Sequence, residues 1–139
     1  MHCINIDLLT IENGGYHLSL RVKINDKNAH FILDTGASKT VLDKNQIHLF
    51  NPNQEIELLE EKSTGLGTNS MDIHQTKIDL FEIGDKKIEN ISIAIIDLSH
   101  VNESYEKLGF KKIQGVLGSD LLHQFNAIID YKSLKLFLD

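Results

Sequence analysis

A chain of 139 residues, 41% of them hydrophobic, is long enough to build a core without covalent staples and too apolar to stay disordered. A formal net charge of −6, with no run of Lys or Arg, argues against a nucleic-acid-binding surface. The single cysteine, Cys3, rules out an internal disulfide and points to a reducing compartment.

No apolar run approaches the roughly 18–20 residues needed to span a bilayer, so no membrane partner is expected. The opening MHCINIDLLTIENGG lacks the basic start and apolar centre of a secretory leader. The expectation is a cytoplasmic protein with one domain over residues 1–139. Its seven histidines are scattered, and no two stand at metal-ligand spacing.

The pattern along the chain is mostly of period two. In HLSLRVKI, Leu18, Leu20, Val22 and Ile24 fall on one face with polar residues between them, as in a half-buried strand. Asn25-Asp26-Lys27-Asn28 reads as a turn and AHFILD as the returning strand. Pro52, in FNPNQE, marks a surface connection. A second hairpin runs KIDLFEI, a turn at Gly84-Asp85, then KIENISIAII, with Ile91, Ile93 and Ile95 facing one way. Residues 98–114 have no clear period and read as a loop with one helical turn. SDLLHQF, residues 119–125, predicts a short helix capped by Ser119 or Asp120. A last hairpin joins NAIIDY to LKLFL through a turn near Lys132-Ser133. The sum is an all-β domain with one short helix near the C-terminus.

The stretch FILDTGASKTVLD, residues 31–43, sets a problem. Asp34 directly follows three bulky apolar residues, and a carboxylate held near a core is costly unless it is hydrogen-bonded or has a task. As a plain β-domain feature it would cap a turn. The stretch is also superficially similar to the phosphate-binding hairpin of actin-like sugar kinases. That fold, however, needs two nucleotide-clasping halves and a second Gly-rich loop, for which this chain is too short. A second feature weighs on the choice: GVLGSDLL echoes FILDTGAS, each placing an apolar run before a small or acidic pivot and a further apolar run after it.

Asp34-Thr35-Gly36-Ala37-Ser38 resembles the catalytic loop of aspartic proteases, specifically the retropepsin branch of retroviral proteases and their cellular and bacterial relatives. Three more features follow in that family's order. Ser63-Thr64-Gly65-Leu66-Gly67-Thr68 resembles a flap tip. Gly115-Val116-Leu117-Gly118 resembles the apolar-apolar-Gly element, followed by a short helix. A terminal hairpin ends the chain. The resemblance spans about residues 16–138.

It implies a retropepsin-like closed β-barrel (the acid-protease fold) and an endopeptidase with no metal or organic cofactor. Asp34 would activate water, with Thr35 and Gly36 shaping the loop. Ala37, Gly65, Leu66 and Gly67 would border an extended peptide or protein substrate, and Gly118 would belong to the loop beneath the site. Two adjacent carboxylates share a proton and so supply both base and acid. One motif in one short chain therefore implies a homodimer, each copy giving one Asp34. Asp120 and Asp130 are the other carboxylates weighed for an in-chain pair; the first sits at a helix start and the second at a strand end, where cap and turn roles explain them.

Ala37 offers no hydroxyl to stabilise a charged dyad, so activity at mildly acidic to near-neutral pH is expected. The acidic residue and arginine that brace the viral site are replaced here by Ser38 and Ser119. Either CINIDLLTI or LKLFLD could supply the dimer's terminal strand. The alternative is a catalytically silent retropepsin-like module that binds a peptide by strand pairing.

Overall fold

The computed structural model describes residues 1–50, 57–59 and 73–139, with backbone alone at 57–59 and at 73. Pro52 and the expected flap tip Gly65-Leu66-Gly67 lie outside the described residues.

The strands are β1 (His2–Asn5), β2 (Asp7–Ile11), β3 (Gly15–Ile24), β4 (Lys27–Leu33), β5 (Val41–Asp43), β6 (Glu57–Leu59), β7 (Ile73–Ile83), β8 (Lys86–Ile96), β9 (Gly115–Leu117), β10 (Ile128–Asp130) and β11 (Lys135–Leu138). Two helices join them, α1 (Ser99–Lys107) and α2 (Ser119–Gln124). The strand order β3-β4-β9-β5-β8-β7 closes on itself where Lys23 and Ile24 of β3 pair with Glu82 and Phe81 of β7. The result is the expected closed barrel, of six strands. β2 extends it beside β3, β6 extends it beside β7, and β1-β11-β10 forms a separate three-stranded sheet.

Both expected hairpins of the barrel are present. Asn25 and Asp26 take positive φ values of 49° and 67°, as a two-residue turn between right-twisted strands demands. Leu20, Val22 and Ile24 are fully buried in the barrel with Phe31, Ile78, Phe81 and Ile83.

β4 explains the unbroken run Phe31-Ile32-Leu33. Phe31 and Leu33 enter the main core, whereas Ile32 enters a second cluster with Leu98, Tyr105 and Ile113 beneath α1. A strand covered on both faces must be apolar at successive positions. The echo between FILDTGAS and GVLGSDLL is physical: Phe31, Ile32 and Leu33 pair in parallel with Gly115, Val116 and Leu117. At Gly115 a Cβ would lie 2.5 Å from the Val41 carbonyl oxygen, so β9 is pressed between its neighbours in a way only glycine permits.

Residues 98–114 depart from expectation, since nine of them form α1. This helix buries only Asn102 and Tyr105, so its sequence carries no apolar stripe to reveal it. Polar bonds seat it instead. The buried Asp43 carboxylate accepts from the backbone N–H of Leu98 (3.1 Å) and Asn45 (3.1 Å) and from the side chains of Gln46 (2.7 Å) and Asn102 (3.4 Å). Asn102 also exchanges hydrogen bonds with the backbone of Ile113. The Ser99 backbone N–H, aided by side-chain bonds from Ser99 and Asn45, holds the Asp97 carboxyl below its usual range at the helix start.

Removing Asp43 orphans several buried donors at once. Asp43→Ala should lower unfolding free energy by roughly 2–4 kcal/mol, read by urea denaturation, with the loss concentrated in protection of the α1 amides.

Candidate functional site

Asp34 is the first residue after β4, where the chain leaves the double-sided cover that β4 enjoys. Its backbone is still tied to the barrel, because the Asp34 N–H donates to the Leu117 carbonyl at 3.0 Å. Its carboxylate is exposed in the single chain rather than sunk in the core. The loop then folds back on it: the Gly36 N–H donates to Asp34 Oδ1 at 2.9 Å, and the Ala37 N–H to the Asp34 carbonyl at 3.2 Å. These bonds fix the carboxylate's direction at the end of a rigid strand. Thr35 and Gly36 are exposed beside it, and Ala37 is half-buried.

Residues 37–40 are stitched to the segment after β9. The Ser119 N–H donates to the Ala37 carbonyl at 2.7 Å. Thr40, itself buried, donates from its backbone N–H to both Asp120 carboxylate oxygens (2.9 and 3.0 Å) and from its hydroxyl to Oδ1 (2.7 Å). The same hydroxyl accepts from the Gly118 N–H at 3.0 Å. Gly118 has an ordinary extended φ of −102°, so backbone freedom does not explain it. Close approach does: a Cβ there would lie 2.8 Å from the carbonyl oxygens of Ala37 and Lys39.

The caps expected for α2 differ. Gly118 is the N-cap residue, with no side-chain cap bond, and Asp120 turns its carboxylate to Thr40. Local helix chemistry had suggested a cap; the long-range partner, eighty residues earlier, is what the sequence hides. Asp130 does serve its own turn, accepting from the Lys132 N–H and the Ser133 hydroxyl.

A cavity of about 510 Å³ opens beside Asp34 and Thr35. Its lining includes Ile32, Leu33 and Val116, Val101 and Tyr105 of α1, and His17, Ile129 and Tyr131. The Tyr105 hydroxyl lies 2.6 Å from His17 Nδ1. Burial, and secondarily the negative charge of Asp34, push the Tyr105 phenol up. Tyr105, His17 and Val101 were not legible as site residues, because only the placement of α1 over β4 brings them there. The expected flap residues Gly65, Leu66 and Gly67 fall between β6 and β7, outside the described residues. Among the described residues, no group of three or more His, Cys, Asp or Glu could hold a metal ion, and no helix is long and apolar enough to cross a membrane.

A family model described as aspartyl protease matches residues 20–121. The structure is similar to that of a retropepsin-like aspartic protease from Rickettsia conorii, with TM-score 0.55, 23% identity, and coverage of 97% of this chain and 87% of that one. It is similar also to the retroviral protease-like domain of Ddi1 from Leishmania major, with TM-score 0.57, 16% identity, and 88% of each chain covered. A third likeness is to EIAV protease complexed with the inhibitor HBY-793, with TM-score 0.51, 18% identity, and 84% and 93% covered. No curated protein sequence matches. The barrel is thus a retropepsin-like fold.

The Thr40–Asp120–Gly118 network invites a double-mutant cycle. Thr40→Val and Asp120→Ala should each cost roughly 1–2 kcal/mol, and the double variant clearly less than the sum, because the two side chains share their bonds. Additive losses in urea denaturation would show that the two act separately.

Proposed function

The chain belongs to the aspartyl protease family, and on that premise we propose that it is a single-domain endopeptidase, residues 1–139, that works as a homodimer. The observation that carries the reading is the placement of Asp34. Its carboxylate is exposed, aimed by the Gly36 N–H, and opens on an apolar cavity from a loop stitched to β9 and α2.

One Asp34 from each copy forms the pair. One carboxylate, unprotonated, takes a proton from water as the oxygen attacks the peptide carbonyl carbon. The other, protonated, gives its proton to the carbonyl oxygen. Collapse of the tetrahedral intermediate returns a proton to the leaving amine. The titration belongs to the pair and not to either residue. Gly36 leaves room beside the carboxylate, and the Thr35 hydroxyl ties the loops of the two copies together. The substrate lies extended, with an apolar side chain in the cavity and Ala37 at its border. Gly65, Leu66 and Gly67 cover it. Glu57, Leu58 and Leu59 of β6 pair antiparallel with Gln75, His74 and Ile73 of β7. Gly118 is structural, carrying the loop from beneath.

The test is cleavage of an unfolded protein between about pH 4 and about pH 7, with wild type beside Asp34→Asn over a dilution series. Asp34→Asn should lower kcat by roughly 10²–10⁴-fold or more. Specific activity should fall on dilution, and the pH profile should favour mildly acidic to near-neutral conditions. Wild type and variant equally inert as dimers would instead identify a peptide-binding module.

A further inference from the structure

We infer that the cavity between β3, β4 and the segment before β9 is a binding site for a small phosphate dianion, held by Arg21, Lys111 and Lys112. It is separate from the cavity at Asp34, and it stands whether or not the chain is a peptidase.

The chain carries a net charge of −6, and its bases are spread along the sequence. The fold nevertheless gathers cations at one place. β3 turns Leu20 and Val22 into the core, so Arg21 between them faces outward, directly opposite His30 of β4. The segment after α1 comes in beside β4 and is tied there by Gln114. The Gln114 N–H donates to the His30 carbonyl (2.8 Å), and its side-chain oxygen accepts from the His30 N–H (2.6 Å). This placement brings Lys111 and Lys112 to the same cavity as Arg21 and His30, with a volume of about 440 Å³. Asp7 is the one acid among the described residues that line it.

These cations have few partners of their own. Among the described residues, Arg21 and Lys111 make no ion pair and no side-chain hydrogen bond, and neither does Asp7. Lys112 reaches only Glu106, at 3.9 Å, with both side chains more than half exposed, where such a pair contributes little. Three cations against one carboxylate leave a local excess of two positive charges in a protein that is acidic as a whole. His30 senses the crowding. Its Nδ1 is buried and meets no hydrogen-bond partner among the described residues. Burial first, and then the charges of Lys111 and Arg21, hold the imidazole below its ordinary range, although the Lys112 carbonyl and Asp7 act to raise it.

A dianion balances that excess. A phosphate ester carries about −1.5 to −2 charges near neutral pH, and its oxygens suit an arginine fork and lysine ammonium groups together. The volume lies within the roughly 300–1,000 Å³ of small-molecule sites and leaves room for an organic group on the phosphate. Asn28, exposed in the same lining, offers that group an amide. Occupancy also bears on the rest of the molecule, because Ile113, the residue after Lys112, lines the cavity at Asp34.

The experiment titrates the full chain with glycerol phosphate and, separately, with inorganic phosphate, at an ionic strength held constant with sodium chloride. Calorimetry reads binding, and NMR of the imidazole ring reads the titration of His30. Binding should saturate with a Kd on the order of 1 mM or below. The His30 pKa should rise by about half a pH unit or more in the complex, because an anion beside Lys111 and Arg21 favours the imidazolium. Arg21→Gln and Lys111→Gln, both at exposed positions, should each weaken binding roughly tenfold. Lys132→Gln, on the turn after β10, should leave it unchanged. Tighter binding of the ester assigns the site to an organic phosphate and equal binding assigns it to the free ion; both uphold the dianion site. Three results would overturn it: no saturation up to about 20 mM of either probe, a response that sodium chloride alone reproduces, or binding that Arg21→Gln or Lys111→Gln leaves intact.

Discussion

The parallel pairing of β4 with β9 is the constraint on which the rest of the molecule hangs. Parallel strands cannot be joined by a short turn, so the chain between them must travel and return. Here it travels through most of the barrel, from Asp34 to Gln114. The two strand ends therefore emerge side by side, and the loop after each must pass the other closely. Gly118 lets the backbones approach, and the Thr40 hydroxyl, which accepts from Gly118 and donates to Asp120, fills the polar gap left between them. A carboxylate at the end of such a strand inherits the stiffness of the barrel while its oxygens remain in solvent.

The second consequence of that pairing is a sheet with work on both faces. The inward side chains of β4 complete the barrel core. Ile32 and Val116, pointing outward, would be exposed without α1 and the Ile113 segment over them. α1 cannot hold itself there by apolar burial, since Tyr105 is its one large buried side chain. The Asp43–Asn102–Ile113 bonds supply the remainder. Ile32 and Val116 also line the cavity at Asp34, together with Val101 and Tyr105 of the same helix. Core and candidate site thus divide one sheet face between them, and α1 borders both.

This division also explains what could be read from the sequence. Elements defined by near neighbours were legible. The alternation of Leu18, Leu20, Val22 and Ile24, the Asn25-Asp26 turn, the Gly84-Asp85 turn and the apolar start of α2 each follow from local periodicity or turn chemistry. The Asp34 loop was singled out through its resemblance to a family motif, supported by the order of the features that follow it. Elements defined by distant partners were not. α1 shows a polar sequence because its partners, Asp43 and the Ile113 backbone, are themselves polar. Asp120 looked like a helix cap because nothing within one turn reveals Thr40. His17 and Tyr105 are 88 residues apart, and neither carries a mark of the other.

The same reasoning bears on the absent acid–arginine brace. In the viral pattern, charged residues at the positions of Ser38 and Ser119 secure the loop as the dimer forms. In this chain the loop is secured by hydrogen bonds of its own. The Ser119 N–H bonds the Ala37 carbonyl, and Thr40 bonds Asp120, within one copy. Loop geometry and assembly are then separate requirements. On the homodimeric reading proposed above, the partner has only to bring the second Asp34, because the bonds that hold the first lie within one copy. The terminal sheet likewise forms within one copy, with β11 paired to β1 on one side and to β10 on the other.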